Sequence, residues 1–329
     1  MIAADRPLSA GMDPLSDLLR VVRLDGAFFF SVEAAEPWSI ETRAATELSP
    51  RLMPAGDHVI SYHIVTEGRC YGGLIGEEPV ELVAGDVIVF PHGDAHLMSS
   101  GRNLQVGPDI YGGPPDRYLE TVRIGGHGSM TAAFVCGFLG CERRPFNPLL
   151  AALPRRIHLR GVPNAWHGGL TRQVTEEARR GRAGAGTVLT RLAELMFIEM
   201  LRRYLAELPS GQTGWVAGIR DEIVGRVLRL LHGQPGHSWT LSELARKAGS
   251  SRSSLTKRFT TLLGQPPMQY LTRWRMQVAA NILSHSGAKV ATIGAEVGYD
   301  SEAAFSRAFK RATGLAPGSW RDNRRSGRG

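Results

Sequence analysis

The sequence predicts a multidomain α+β chain, with short strands packed as a sandwich or barrel in its first half and helices in its second. Three observations predict this. Between residues 40 and 140, brief apolar runs alternate with Gly, Pro and Asp, the texture of short strands joined by turns. From residue 165 onward, apolar residues recur at helical spacing. The C-terminal part also matches itself at an offset of about 50 residues, so one small helical unit occurs twice.

In chain order, DPLSDLLRVVRL (13–24) carries Leu15, Leu18, Leu19 and Val22 at helical spacing, and AFFFSVE follows as a strand. HVISYHIV, VELVAGDVIVF and TAAFVCGFL read as further strands. A helix is expected from 186 to Leu208, stopped by Pro209, Ser210 and Gly211. Leu189, Ala193, Met196, Met200 and Tyr204 form one apolar face, and Phe197, Leu201, Leu205 and Leu208 widen it beyond a single packing surface. A second helix, 216–232, carries Ile219, Ile223, Val227, Leu230 and Leu231, and GQPGH (233–237) is a hinge. GRAGAG (181–186) reads as a loop, because no strand precedes it and no Gly-Lys-Ser/Thr follows.

Charge divides the 329 residues in two. Residues 1–150 hold 11 Lys and Arg against 19 Asp and Glu, a net −8, while residues 151–329 hold 28 against 12, a net +16. Only the second part is built to meet a polyanion. No run approaches the roughly 20 apolar residues of a membrane helix, and no basic-then-apolar leader opens the chain. A cytoplasmic protein without a membrane partner is expected. Cys70, Cys136 and Cys141 are odd in number and imply no disulfide framework.

In the repeat, Leu255 matches Phe305, Phe259 matches Phe309, Gly264 matches Gly314, Pro267 matches Pro317 and Tyr270 matches Trp320. Upstream of the turn the offset is one less, pairing Leu244 with Ile293, Ala248 with Val297 and Gly249 with Gly298. Each copy reads as helix, glycine turn, helix. Gly249 permits the turn and Ser251 caps the helix after it. Leu255 and Phe259 hold that second helix down, leaving Arg252, Ser253, Thr256 and Lys257 free. The second copy likewise frees Glu302, Ala303, Ser306, Arg307 and Lys310. A helix with polar groups on its free face fits the major groove of double-stranded DNA. MQYLTRWRMQVAANILSH (268–285), with Leu271, Trp274, Val278 and Ile282, reads as a stiff connecting helix. It would set the two readers about 34 Å apart, one turn of duplex.

ARKAGSSRSSLTKRFTTLLGQPPMQYLTRWRM and GAEVGYDSEAAFSRAFKRATGLAPGSWR together resemble the two-motif DNA-binding domain of AraC-type (AraC/XylS) transcription regulators, over about residues 217–322. The resemblance implies sequence-specific promoter binding, transcription control and contact with RNA polymerase. Carried over by position, its base-facing sites fall on Ser253, Thr256 and Lys257, and on Glu302, Ala303, Ala304 and Arg307. Gly294 stands where the family usually has Ala; a helical Gly costs about 0.5–1 kcal/mol, so a looser second motif is expected.

GDVIVFPHGDAH (85–96) resembles the second motif of cupin barrels, and the stretch including VCGFLGCERRPFNPLLAALP (135–154) resembles the cupin-type sensor of some AraC-type regulators. A strand ending in a Pro-Gly turn would aim His96 into the barrel. The first cupin motif is damaged: counting from Gly56 puts Tyr62 and Ile64 where His is expected, with His63 out of phase and Glu67 displaced. His92, Asp94 and His96 alternate, and on a strand would share one side and converge on a metal; the same set also reads as a turn held by hydrogen bonds. Tyr62, His63, His92, Asp94 and His96 are the candidate effector residues. Cys136 and Cys141 read as small buried apolar groups, with a redox or zinc role as the alternative.

The resulting expectation is a cupin-like β-barrel followed by helices, then an all-α C-terminal domain with two helix-turn-helix motifs. Its divisions are 1–160 for sensing, 161–214 for a helical linker and dimerisation, and 215–329 for DNA binding. The expected partners are promoter DNA, a small-molecule effector, RNA polymerase and a second copy of the chain. No catalytic residue, metal ligand or cofactor is assigned. The alternative is a metal-dependent cupin enzyme, an oxygenase or isomerase, with an appended DNA-binding domain.

Overall fold

The computed structural model describes residues 13–22, 24–47, 58–102, 121–126, 128–141, 145–161, 169–170, 172–174, 176–177, 183–207 and 213–326. They fall into two compact units. One comprises Leu24–Glu142 and Leu153–Leu208; the other comprises Met1–Arg23, Arg143–Ala152 and Pro209–Gly329.

The first unit is a curled nine-stranded sheet. Its strands are β1 (Leu24–Ala35), β2 (Ser39–Thr42), β3 (His58–Leu74), β4 (Val80–Val83), β5 (Val87–Phe90), β6 (His96–Ser99), β7 (Thr121–Gly125), β8 (Met130–Cys141) and β9 (Ile157–Leu159). The main path runs β2-β6-β3-β8-β1-β7, with β4 on β3 and β5 between β3 and β9. All these pairs are antiparallel except β1 with β7.

The curl comes from β3. Its first half pairs with β5 and β8, and its second half with β4 and β6. At the bend the β3–β8 register slips between Val65 and Glu67, and Gly68 adopts φ 69°. A Cβ there would stand 1.9 Å from the Thr131 carbonyl oxygen, so only glycine turns this corner.

Period-two alternation then sorts the side chains. Phe30, Val32, Val59, Val65, Ile88, Phe90, Phe134, Cys136 and Phe138 share one core cluster inside the curl. Tyr62 lies on the outer face, edge-on to Phe29 and over Gly137, where a Cβ would collide with its ring at 2.2 Å. Helix α3 (Ala185–Glu207) packs on β1, β8 and β9 through Leu189, Ala193, Met196, Met200 and Leu201. The expected stop after it, Leu208 to Gly211, lies outside the described residues, as does Gly56.

The second unit is helical. It takes in α1 (Pro14–Val22) and α2 (Pro148–Ala152) besides α4 (Trp215–Arg220), α5 (Glu222–Gly233), α6 (Leu241–Ala248), α7 (Arg252–Leu263), α8 (Pro267–His285), α9 (Val290–Glu296), α10 (Glu302–Thr313) and α11 (Pro317–Ser326). The single helix expected over 216–232 is two. Asp221 leaves the helical conformation (ψ 131°) and its carboxylate accepts from the amides of Ile223 and Val224, starting α5 afresh.

Two segments that lie beside the strands in sequence belong here. Asn281 on α8 donates to the Val21 carbonyl at 2.9 Å. The Phe146 amide donates to Gln277 at 2.8 Å, and the Phe146 ring meets the edge of Tyr270 and lies under the Arg273 guanidinium.

The two copies of the repeat superpose in their details. Gly249 (φ 69°) and Gly298 (φ 84°) make the turns, and Ser251 and Ser301 each accept from the amide three residues on at 3.2 Å. Gly264 and Gly314 end α7 and α10 in the left-handed conformation. Leu255, Phe259, Phe305 and Phe309 are fully buried. At Gly294, a Cβ would stand 3.1 Å from Phe305, so the missing methyl makes room for the larger ring.

Candidate nucleic-acid interface and barrel interior

On α7, Arg252, Ser253 and Lys257 are exposed and Thr256 half-buried, opposite Leu255 and Phe259. On α10, Glu302, Ala303, Arg307 and Lys310 are exposed and Ala304 and Ser306 half-buried, opposite Phe305 and Phe309. The structure thus places the predicted residues of each reader together on one free face.

Their bonding distinguishes them from some other charges of the unit. Among the described residues, the side chains of Arg252, Lys257, Glu302, Arg307 and Lys310 have no hydrogen-bond or ion-pair partner. Three arginines off these faces are committed to protein acceptors. Arg258 pairs with Asp221 (2.7 and 2.8 Å), Arg226 with Glu222, and Arg321 donates to the Ala288 carbonyl. Burial pushes the Asp221 carboxyl up, but its bonds from Arg258 and the α5 amides outweigh this and hold it below the usual range.

Arg275 fixes the relation between the motifs. Rising from α8, it donates to the carbonyls of Pro235 (2.7 Å) and His237 (2.9 Å) before the first motif, and of Gly298 (3.3 Å) in the turn of the second. This arginine was not singled out from sequence, because its partners are backbone atoms distant along the chain.

Inside the curl, the candidate effector residues separate. His92 meets the Leu153 carbonyl at 2.8 Å, and Asp94 binds Arg155 at 2.8 Å. Only His96 points inward, so the three do not converge on a metal. The reason is local: residues 91–95 form a turn around Gly93 (φ 66°), and β6 begins at His96, so strand alternation does not apply to them.

His63, expected out of phase, faces inward, and Tyr62 faces outward. The inner face of β3 is 59, 61, 63 and 65. His63 Nε2 lies 2.7 Å from His96 Nε2, and His63 Nδ1 lies 3.0 Å from Cys136 Sγ. His96 Nδ1 is 2.9 Å from the Asp94 carbonyl oxygen, which can only accept, so that nitrogen carries a proton. His96 Nε2 therefore accepts from His63 Nε2–H, and His63 Nδ1 accepts from the Cys136 thiol. Burial pulls His63 well below its ordinary pKa, helped by His96, and pulls His96 down to about 4 against the opposing effect of Asp94. Both rings are thus neutral near pH 7. Cys136 joins the cluster through the β3–β8 register, His63 opposite Cys136, which no local motif displays.

Residues 13–206 match the cupin family and residues 244–323 match a helix-turn-helix domain family. An AraC-like transcription regulator from Streptomyces antibioticus is 32% identical over 322 residues, covering 94% of this chain and 98% of that one. The chain belongs to the AraC family of transcription regulators. A second member, the HTH-type transcriptional regulator AlkR of Acinetobacter baylyi, is 25% identical over 94% of this chain and 99% of its own. Among solved structures, the DNA-binding domain of AdpA in complex with a target DNA is 27% identical, covering 32% of this chain and 95% of that one, with a TM-score of 0.31. This AraC-family chain is accordingly a DNA-binding regulator with a cupin domain, not an enzyme. Among its described residues no helix is long and apolar enough to cross a membrane, and no group of three or more His, Cys, Asp or Glu could hold a metal ion.

Proposed function

We propose that this AraC-family regulator grips promoter DNA with α7 and α10 in successive major grooves, and that a small molecule or chemical signal received inside the cupin domain sets its affinity. The observation that carries this is the free face of each repeated helix: the residues assigned to the groove are exposed or half-buried opposite the buried pair that anchors the helix, and the side chains of Arg252, Lys257, Glu302, Arg307 and Lys310 are unpartnered. Arg252, Lys257 and Arg307 would donate to guanine O6 and N7, and Glu302 would accept from cytosine N4. Ala303 and Ala304 suit a thymine methyl, Ser253 and Thr256 either kind of edge, and Lys310 a phosphate.

The sensing part is read as residues 1–160, the linking and dimerising part as 161–214, and the reader as 215–329. His63 and His96 would face the effector, with Tyr62, His92 and Asp94 supporting the surrounding strands and turns. A second copy would pair through α3, whose outer stripe includes Val188 (41% exposed), Leu192 and Leu195 (44% exposed). The family implies RNA polymerase as a further partner and the cytoplasm as the place of action. An effector changes DNA affinity only as far as it binds the two states unequally.

The test is a footprint of purified protein on fragments selected from genome-wide occupancy. Protection of two major grooves one turn apart is expected; protection confined to a single turn would refute the paired-reader arrangement.

A further inference from the structure

Cys136 is fully buried, yet it belongs to a chain of hydrogen bonds that runs in one direction: thiol to His63, His63 to His96, His96 to the Asp94 carbonyl. Moving each proton one step along the chain makes Cys136 a thiolate. It leaves His63 neutral and places the positive charge on His96, two rings away. There the Asp94 carboxylate supplies counter-charge that offsets part of the cost of burial, so the charged ring is a transient step of the reaction and not the resting state; one carboxylate oxygen is held by Arg155 and the other, Oδ2, is buried without a partner. Cys70, buried in the same core, has no such outlet. Its thiol is pushed up to about 12 by burial and then by the charge of Asp86. The same core also holds the indole N–H of Trp38, 6% exposed and without an acceptor, on a ring stacked against Phe134, which in turn meets His63 edge-on. That N–H offers a hydrogen bond to an oxygen-bearing guest.

We propose that Cys136 is a covalent sensing site for a small uncharged peroxide, its thiol made nucleophilic by the relay through His63 and His96. Sulfur attacks the near peroxide oxygen, an S–O bond forms and the O–O bond breaks. Sulfur gives up two electrons, the peroxide takes them, and the departing oxygen takes the relayed proton and leaves as water or alcohol. The product sulfenic acid adds an oxygen to a sulfur that is fully buried and already 3.0 Å from His63 Nδ1, so the surrounding core must repack to hold it. This site rests on reading the cupin domain as the sensing half.

Full-length reduced protein is exposed to hydrogen peroxide, quenched at intervals and alkylated after unfolding, and each cysteine is followed by mass spectrometry. Cys136 is expected to oxidise at least tenfold faster than Cys70. His63→Gln should bring it to the Cys70 rate, and His96→Gln, which leaves the atom touching the thiol in place, should slow it severalfold. Equal rates for Cys136 and Cys70 in the natural chain, or a Cys136 rate that His96→Gln leaves unchanged in a protein with native circular dichroism, would overturn the relay. Operator affinity of the oxidised protein is measured alongside. Rapid Cys136 oxidation with unchanged affinity would remove the sensing role, while DNA binding itself would stand or fall on the unoxidised protein.

Discussion

Gly294 and Phe305 occupy in the second motif the places that Ala245 and Leu255 occupy in the first, and each pair fills the same interhelical space with a different division of volume. A Cβ on Gly294 would stand 3.1 Å from the Cβ and Cγ of Phe305, atoms that cannot swing away. Gly294→Ala gains about 0.5–1 kcal/mol of helix propensity but must push this ring aside. With Phe305→Leu the second motif would copy the first. A double-mutant cycle followed by denaturant unfolding should therefore show positive coupling, with the alanine better tolerated by at least about 0.5 kcal/mol beside leucine than beside phenylalanine.

Arg307→Ala should cost about 1–3 kcal/mol of operator affinity and relax selection at one base pair, since a bidentate guanine contact is lost. Lys310→Ala should weaken all sequences alike and lower the salt slope by about one. Titrations on selected and scrambled fragments at several salt concentrations distinguish the two; identical behaviour would refute the division of roles.

Glu302 stands where the first reader has Arg252, a reversal of charge at one position of the repeat. Glu302→Gln should raise affinity for unrelated DNA, because repulsion from phosphate is removed, and should broaden the base selected in the second half-site. Selection from random fragments, scored by half-site, reads both effects. A pure helix-end role, acid in the first turn of α10, would instead alter thermal stability and leave selection unchanged.

Arg275→Ala should leave each motif folded but release the second turn from the hinge before the first, because all three of its acceptors are backbone carbonyls in those two places. Binding to a full two-groove operator should fall by at least tenfold, with binding to either half alone nearly unchanged. Band-shift titrations on whole and halved operators make the comparison.

Acid should weaken the cupin domain. His96 is lowered in the folded chain to about 4 from an ordinary 6.5, and His63 is held well below its ordinary value, both chiefly through burial. Between 6.5 and those values the unfolded chain binds protons that the folded chain does not. Stability is therefore fully present above pH 6.5 and lost as pH falls, by up to about 1.4 kcal/mol per pH unit for each titrating ring. Denaturant unfolding from pH 7 to 4.5 should show this slope, and His96→Gln should flatten it.

The helical half was legible because its determinants are local. Glycines at the turns, serines before α7 and α10, and paired aromatics one helical turn apart sit at fixed spacing in a repeat, and each copy corroborates the other. The break at Asp221 escaped because apolar spacing continues across it; only the carboxylate capping the next turn reveals it. In the strand half, alternation gave the strands but not their phase. Counting from Gly56 put His63 on the wrong face, since nothing local fixes which parity of a strand faces inward when both faces are apolar. The meeting of His63, His96 and Cys136 depends on three strands brought together by the corner at Gly68, a relation between distant residues.

The helical unit borrows parts from early in the chain, and this bears on any attempt to prepare it alone. A fragment starting near Thr213 lacks the helix whose Val21 carbonyl receives Asn281, and lacks Phe146, whose ring and amide engage Tyr270, Arg273 and Gln277. Such a fragment would carry a raw apolar scar along α5 and α8 and self-associate, whereas supplying residues 13–22 and 145–152 as peptides should restore its solubility.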